Sequence, residues 1–175
     1  MSVTISGSTG ITLPDNGSLS TSVAGAMVID SAGIVTKPLQ PAFNVTSNTN
    51  QINISGTQTV LFQTEVFDQN NDFSGNTFTA PVTGKYFLNT ILRLDNLDSA
   101  SSYYRLYMQT SNEIYKTIWT MSRMSGDLTY WTLQNTVFAD MDAGDTVYIT
   151  TQQSGGSPQA DISGGQAYFQ GYLVC

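Results

Sequence analysis

The stretch TYWTLQNTVFA, residues 129–139, alternates with a period of two: Trp131, Leu133, Val137 and Ala139 fall on one side of an extended chain, Thr132, Gln134 and Thr136 on the other. That alternation marks a strand with one packed face and one wet face. Outward from it, runs of the same texture recur as TVLFQTEVF (59–67), KYFLNTILRL (85–94), SYYRLYMQT (102–110), IYKTIWTM (114–121), DTVYITTQQ (145–153) and QAYFQGYLV (166–174). They are divided by turn clusters such as SNTNQ (47–51), DNLDSAS (95–101), RMSGD (123–127), DAGD (142–145) and SGGSPQ (154–159). About seven or eight strands follow one another with no amphipathic helix and no crossover helix between them. The pattern predicts an all-β antiparallel sandwich of jelly-roll or immunoglobulin-like type.

A chain of 175 residues holds one domain with a sizeable core. Charged residues are 11% of it, well below the roughly 25% of an average soluble protein. Ser, Thr, Asn, Gln and Gly fill the loops instead. Six Lys plus Arg stand against thirteen Asp plus Glu, for a net charge of −7. Such a chain gains nothing from counterion release on nucleic acid and is repelled by an anionic membrane, so neither is an expected partner. The opening MSVTISGSTGITLPDNG has no Lys or Arg and no long apolar core, unlike a signal peptide. The most apolar stretch, VAGAMVI (23–29), is too short to span a bilayer. The expectation is a soluble, unexported chain. Cys175 has no cysteine to pair with, and the sequons at Asn16, Asn44 and Asn53 carry no weight without a secretory route.

Histidine is absent, which removes Ser-His-Asp and Cys-His catalysis and His-based metal sites. Carboxylate pairs remain for a glycosidase, Glu65 with Asp68 or Asp95 with Asp98, but Asp95 and Asp98 sit in a turn cluster where Asp serves the backbone. No enzyme is expected. Asp68, Asn70 and Asp72 share the one–three–five spacing of a calcium loop, yet Phe73 stands where that loop needs Gly and Thr79 where it needs Glu. A polar hairpin corner is the better reading, and no metal or cofactor is expected. SGSTG (6–10) lacks the Lys and the strand–loop–helix setting of a phosphate cradle.

Residues 1–38 alternate small polar residues with isolated Ile, Leu and Val, too few large side chains for a core. They read as an attachment arm, and 39–175 as the sandwich. Within SYYRLYM (102–108), Tyr103 and Tyr107 point one way, and Tyr104, Leu106 and Met108 the other, so both faces of one strand need cover. A neighbouring copy is the expected cover. Tyr103 and Tyr107 are the leading interface candidates, with Tyr86, Phe169 and Tyr172 beside them.

The segment FDQNNDFSGNTFTAPVTGKYFLN (67–89) resembles the middle of the globular domain of complement C1q and its tumour necrosis factor-like relatives. The family pattern, an aromatic, an Asn/Asp loop and then F-x-A-P-x-x-G-x-Y-x-F, falls here on Phe67, Asn71, Phe78, Ala80, Pro81, Gly84, Tyr86 and Leu88. PAFNV (41–45), MDAGDTVYI (141–149) with its Gly144 turn, and GGQAYFQGYLV (164–174) resemble the first strand, a late strand and the closing strand. The resemblance implies a jelly roll assembled as a compact homotrimer. Pro81 and Gly84 then mark a tight connection, with Gly84 supplying a positive φ. The arm resembles segments that precede such domains in tailed-bacteriophage virion proteins. A capsid decoration or cement protein at the virion surface, held to the major capsid protein by its arm, is one expected function; a tail-fibre or baseplate tip that binds a host receptor or glycan is the other.

Overall fold

The computed structural model describes residues 27–29 and 31–175. The chain divides into two units, Met1–Gln40 and Pro41–Cys175. The arm expected over 1–38 lies, through residue 26, outside the described residues. The first described elements form a two-stranded hairpin of β1 (Val28–Ile29) and β2 (Val35–Thr36), with Gly33 in its turn at φ 81.

The second unit is two antiparallel sheets. Along the chain come β3 (Ala42–Thr46), β4 (Gly56–Thr59), β5 (Thr64–Asp68), β6 (Phe73–Ser74), β7 (Thr77–Thr79) and β8 (Gly84–Leu97). After these come β9 (Tyr103–Thr110), β10 (Ile114–Thr120), β11 (Leu128–Met141), β12 (Thr146–Ser154) and β13 (Asp161–Leu173). One sheet has the order β11-β8-β13-β3-β5; the other runs β10-β9-β12-β7-β6, with β4 also on β12. This is the antiparallel jelly roll that the alternating runs predict, with no helix among the described residues.

Side chains of one parity from each strand meet between the sheets. In β8 the even positions Tyr86, Leu88, Leu92 and Leu94 are fully buried, and Phe43, Val45, Ala167 and Phe169 join them from β3 and β13. The facing sheet sends in Phe78, Tyr104, Leu106, Met108, Val147 and Ile149. Trp131 has the inward parity of β11 but lies at the sheet's edge, where it stacks on Trp119 at 4.1 Å and closes the flank between the sheets.

The structure departs from the sequence pattern in three places. The run 59–67 is not one strand: β4 ends at Thr59 on one sheet and β5 begins at Thr64 on the other, the chain crossing over between them. The turn expected over 95–101 starts late, because β8 continues through Leu97. Gly84 does not take a positive φ; that role falls to Asn71 (φ 59), Gly75 (φ 56) and Asn76 (φ 67), and to Gly144 (φ 93) in the DAGD turn. Gly84 is needed for space, since a Cβ there would lie 2.6 Å from the Cys175 carbonyl oxygen and from Leu173 Cδ1. Pro81, exposed in the β7–β8 connection, follows Ala80, whose N–H and carbonyl are tied to Asp145 and Gly144.

Candidate functional site

The outward face of the five-stranded sheet is laid out by register. One row across it holds Phe138, Phe87, Tyr172 and Ala42; the next holds Thr136, Asn89, Gln170, Asn44 and Phe67; the third holds Gln134, Ile91, Tyr168, Thr46 and Thr64. Phe87 packs on Phe138 at 5.5 Å and on Tyr172 at 5.4 Å, which leaves Phe138 66% exposed and Tyr172 47% exposed. The second row is a ladder of polar side chains. Asn89 Nδ2 donates to Thr136 Oγ1 (2.6 Å), Gln170 Nε2 to Asn89 Oδ1 (3.3 Å) and Asn44 Nδ2 to Gln170 Oε1 (3.2 Å), while Asn44 Oδ1 is buried without a partner. None of these three rows contains a charged residue. Ion pairs border them instead: Lys85 with Asp140 on one side, Arg93 with Asp95 on the other. Toward the β5 edge, Phe67, Phe87, Gly171 and Tyr172 line an open cavity of about 320 Å³.

The other sheet turns outward a face of different chemistry. Its rows carry Gln109 with Tyr148, Lys116 with Tyr107 and Thr150, and Ile118 with Arg105 and Gln152. The Arg105 guanidinium lies 3.9 Å from the Tyr103 ring centroid and donates to the Tyr107 hydroxyl at 3.2 Å. Tyr107 donates onward to Gln152 Oε1 at 2.8 Å, and the Tyr148 hydroxyl to Gln109 Oε1 at 3.3 Å. To make these bonds Tyr107 and Tyr148 must lean along the sheet instead of standing upright on it.

Two closely packed antiparallel sheets with this strand order place the chain among jelly rolls, and the C1q domain profile matches residues 42–174. The chain belongs to the C1q domain family. By structure it is similar to the globular domain of zebrafish complement 1qA protein (TM-score 0.56, 20% identity, covering 77% of this chain and 98% of that one). It is also similar to murine APRIL (TM-score 0.54, 11% identity, covering 77% and 99%). No curated protein matches the chain by sequence.

Within this C1q domain the sequence candidates separate. Tyr103 and Tyr107 stand on the outward face of β9 and Tyr104, Leu106 and Met108 in the core, the two-faced strand that the alternation implies. Tyr172 is exposed on the opposite sheet. Tyr86 and Phe169 are not at an interface: both are fully buried inside the single chain, because they share strand parity with the core-facing residues of β8 and β13. Phe138 and the amide ladder, absent from the sequence candidates, are the outstanding features of the five-stranded face. Asp98, offered as half of a carboxylate pair, is 6% exposed and accepts the backbone N–H groups of Ala100 and Ser157, which makes it a loop tie. Asp95 pairs with Arg93. Among the described residues no group of three or more acidic or thiol side chains is gathered for a metal.

The loop of the C1q domain that carries calcium-like spacing is a corner. Asp68 turns both carboxylate oxygens to the backbone N–H groups of Asp72 (3.0 Å) and Phe73 (2.8 Å). Asp72 Oδ2 is buried without a hydrogen bond. Burial, and secondarily the Asp68 carboxylate, push the Asp72 carboxyl above its ordinary value, against a hydrogen bond from Asn70. A raised native pKa means that the folded state holds this proton more tightly than the unfolded chain, so stability falls as pH rises through and above the ordinary carboxylate value. Asp72→Asn is therefore expected to be more stable than the parent at neutral pH, with the difference shrinking as pH falls toward the ordinary carboxylate value and gone below about pH 4; Tm measured against pH for both proteins checks it.

Proposed function

We propose that this C1q domain is a structural, non-enzymatic module that assembles as a homotrimer through the outward face of its five-stranded sheet. The observation that carries the reading is three adjacent rows without charge, aromatic in part, on a chain of net charge −7. Copies of an acidic chain repel one another wherever their carboxylates meet, and this face is where a second copy approaches without that cost. The ends of the sheet differ. Phe138 projects from edge strand β11, while the cavity between Phe67 and Tyr172 lies toward the other edge, β5. A projection and a hollow at opposite ends of one face favour head-to-tail contact, which closes into a ring, over a twofold dimer. The partnerless Asn44 Oδ1 gains a donor from the neighbouring copy.

The setting is inferred from residues 1–38, whose small-residue texture resembles the arms of tailed-bacteriophage virion proteins. In this reading the trimer is a decoration protein at the capsid surface, held to the major capsid protein by the arm. Native mass measurement is expected to give a trimer that survives deletion of residues 1–38, while the deleted protein no longer attaches to particles. Copy number in purified particles decides the location: hundreds of copies place it on the shell, a few dozen or fewer on the tail. A chain that stays single at micromolar concentration overturns the reading. The second reading, a tail tip that recognises a host surface, is favoured by the tyrosine, Arg and Gln surface of the six-stranded sheet, which assembly on the other sheet leaves open.

A further inference from the structure

We infer that the outward face of β9, β10 and β12 is a binding surface for a carboxylate-bearing saccharide, such as a uronate or sialate polymer. This deepens the recognition reading and rests on the assembly reading only in that a trimer closed on the opposite sheet keeps this face in solvent. Charge supplies the first part. The chain has thirteen Asp and Glu, yet none lies in the strands of the six-stranded sheet, whose only charged residues are Arg105 and Lys116. These stand outward on neighbouring strands in adjacent rows, Arg105 opposite Ile118 and Lys116 opposite Tyr107. Among the described residues neither forms an ion pair. An acidic chain has here a local cationic spot, matched to a single anionic group.

The rest of the surface fits a sugar ring. Tyr107, half-buried on this outward face, brings an aromatic ring to it, against whose negative quadrupole the C–H face of a pyranose can pack. Around it Gln152 and Gln109 are held in place by the bonds from Tyr107 and Tyr148, planar amides suited to hydroxyl groups. Arg105 is fixed by its stack on Tyr103 and its bond to Tyr107, and its Nε is buried without a partner. A preorganised guanidinium loses little freedom when it takes up a carboxylate. Two cations are too few to hold a nucleic-acid backbone or an anionic membrane. An extended peptide joins a sheet at its edge, not on its face.

The test uses the full chain and immobilised polygalacturonate, polysialate, neutral dextran, dextran sulfate and poly-glutamate. Retention on at least one of the two carboxylate polysaccharides is expected to exceed that on each of the other three by about tenfold in affinity. Arg105→Gln with Lys116→Gln, and separately Tyr107→Ser, are each expected to lose that advantage by about tenfold. Equal retention by dextran sulfate or poly-glutamate reduces the face to an anion exchanger and overturns the inference. So does retention on neither carboxylate polymer, or variants that bind as the parent does. Native mass of the same samples separates the two readings: trimers without saccharide binding leave assembly standing and sink the inference, and single chains that bind do the reverse.

Discussion

Phe138→Asp is expected to convert the proposed trimer into folded single chains. In one chain the Phe138 side chain is 66% exposed and touches Phe87 along one edge, so the substitution removes little that the fold itself depends on. In the proposed ring each copy places Phe138 against its neighbour, and an aspartate there buries an unpaired carboxylate in a face otherwise free of charge. Truncation of a central aromatic anchor costs about 2–4 kcal/mol in well-packed interfaces, and the buried charge adds to that at every contact of the ring. A loss of more than about hundredfold in association is expected. Sedimentation at micromolar concentration checks it. Unfolding supplies a second check, since the Tm of an assembled protein rises with concentration and that of a single chain does not. Ile118→Asp is the matched control: Ile118 is 43% exposed on the outward face of the other sheet, and its replacement is expected to leave assembly intact. Trimers of the Phe138 variant as stable as those of the parent would place the interface elsewhere.

Much of this architecture was legible from strand parity. The alternation in 129–139 and in 102–108 assigns inward and outward residues of β11 and β9 as the structure has them, because a strand's side-chain period does not depend on its neighbours. Parity also held the answer for Tyr86, which shares even numbering with Leu88, Leu92 and Leu94 and so belonged to the core. The crossover at 60–63 carried no such signal. Val60 and Phe62 are buried like strand residues, and no Gly or Pro marks the change of sheet. Its stabilising contact, the Phe62 N–H donating to Asn76 Oδ1 at 2.7 Å, comes from a later turn. The amide ladder was equally out of reach, since Asn44, Asn89, Thr136 and Gln170 become neighbours only once four strands are ordered. Gly84 shows the limit of motif reasoning: its position was right, but the reason is the approach of the chain's last residues, not the local turn.

Phe43→Ala is expected to be the most destabilising substitution in the core. Phe43, 1% exposed, stacks on Phe78 at 4.5 Å and on Phe73 at 5.5 Å and meets the edge of Phe169 at 4.9 Å, so that β3, β6, β7 and β13 share one ring. Its loss removes apolar area, three aromatic contacts and the brace between the two sheets, and the strands on either side cannot close the gap without giving up register. A cost of about 3–5 kcal/mol is expected, against a total of about 5–15 kcal/mol for a domain. Urea unfolding should show a lower midpoint with the slope unchanged. The site is also coupled to its neighbour in β13. A Cβ at Gly171 would lie 3.0 Å from Phe43 Cε1, but also 2.6 Å from Leu88 Cδ2 and 2.9 Å from the Phe87 carbonyl oxygen. Gly171→Ala alone therefore overpacks the core, at about 1–3 kcal/mol. Combined with Phe43→Ala, one of its three collisions disappears. The double variant is expected to lose measurably less than the sum of the two single losses, yet not to recover, because the contacts with Leu88 and the backbone remain. Strict additivity would mean that position 171 does not sense the Phe43 ring, and that the packing at the centre of this sandwich is looser than these distances imply.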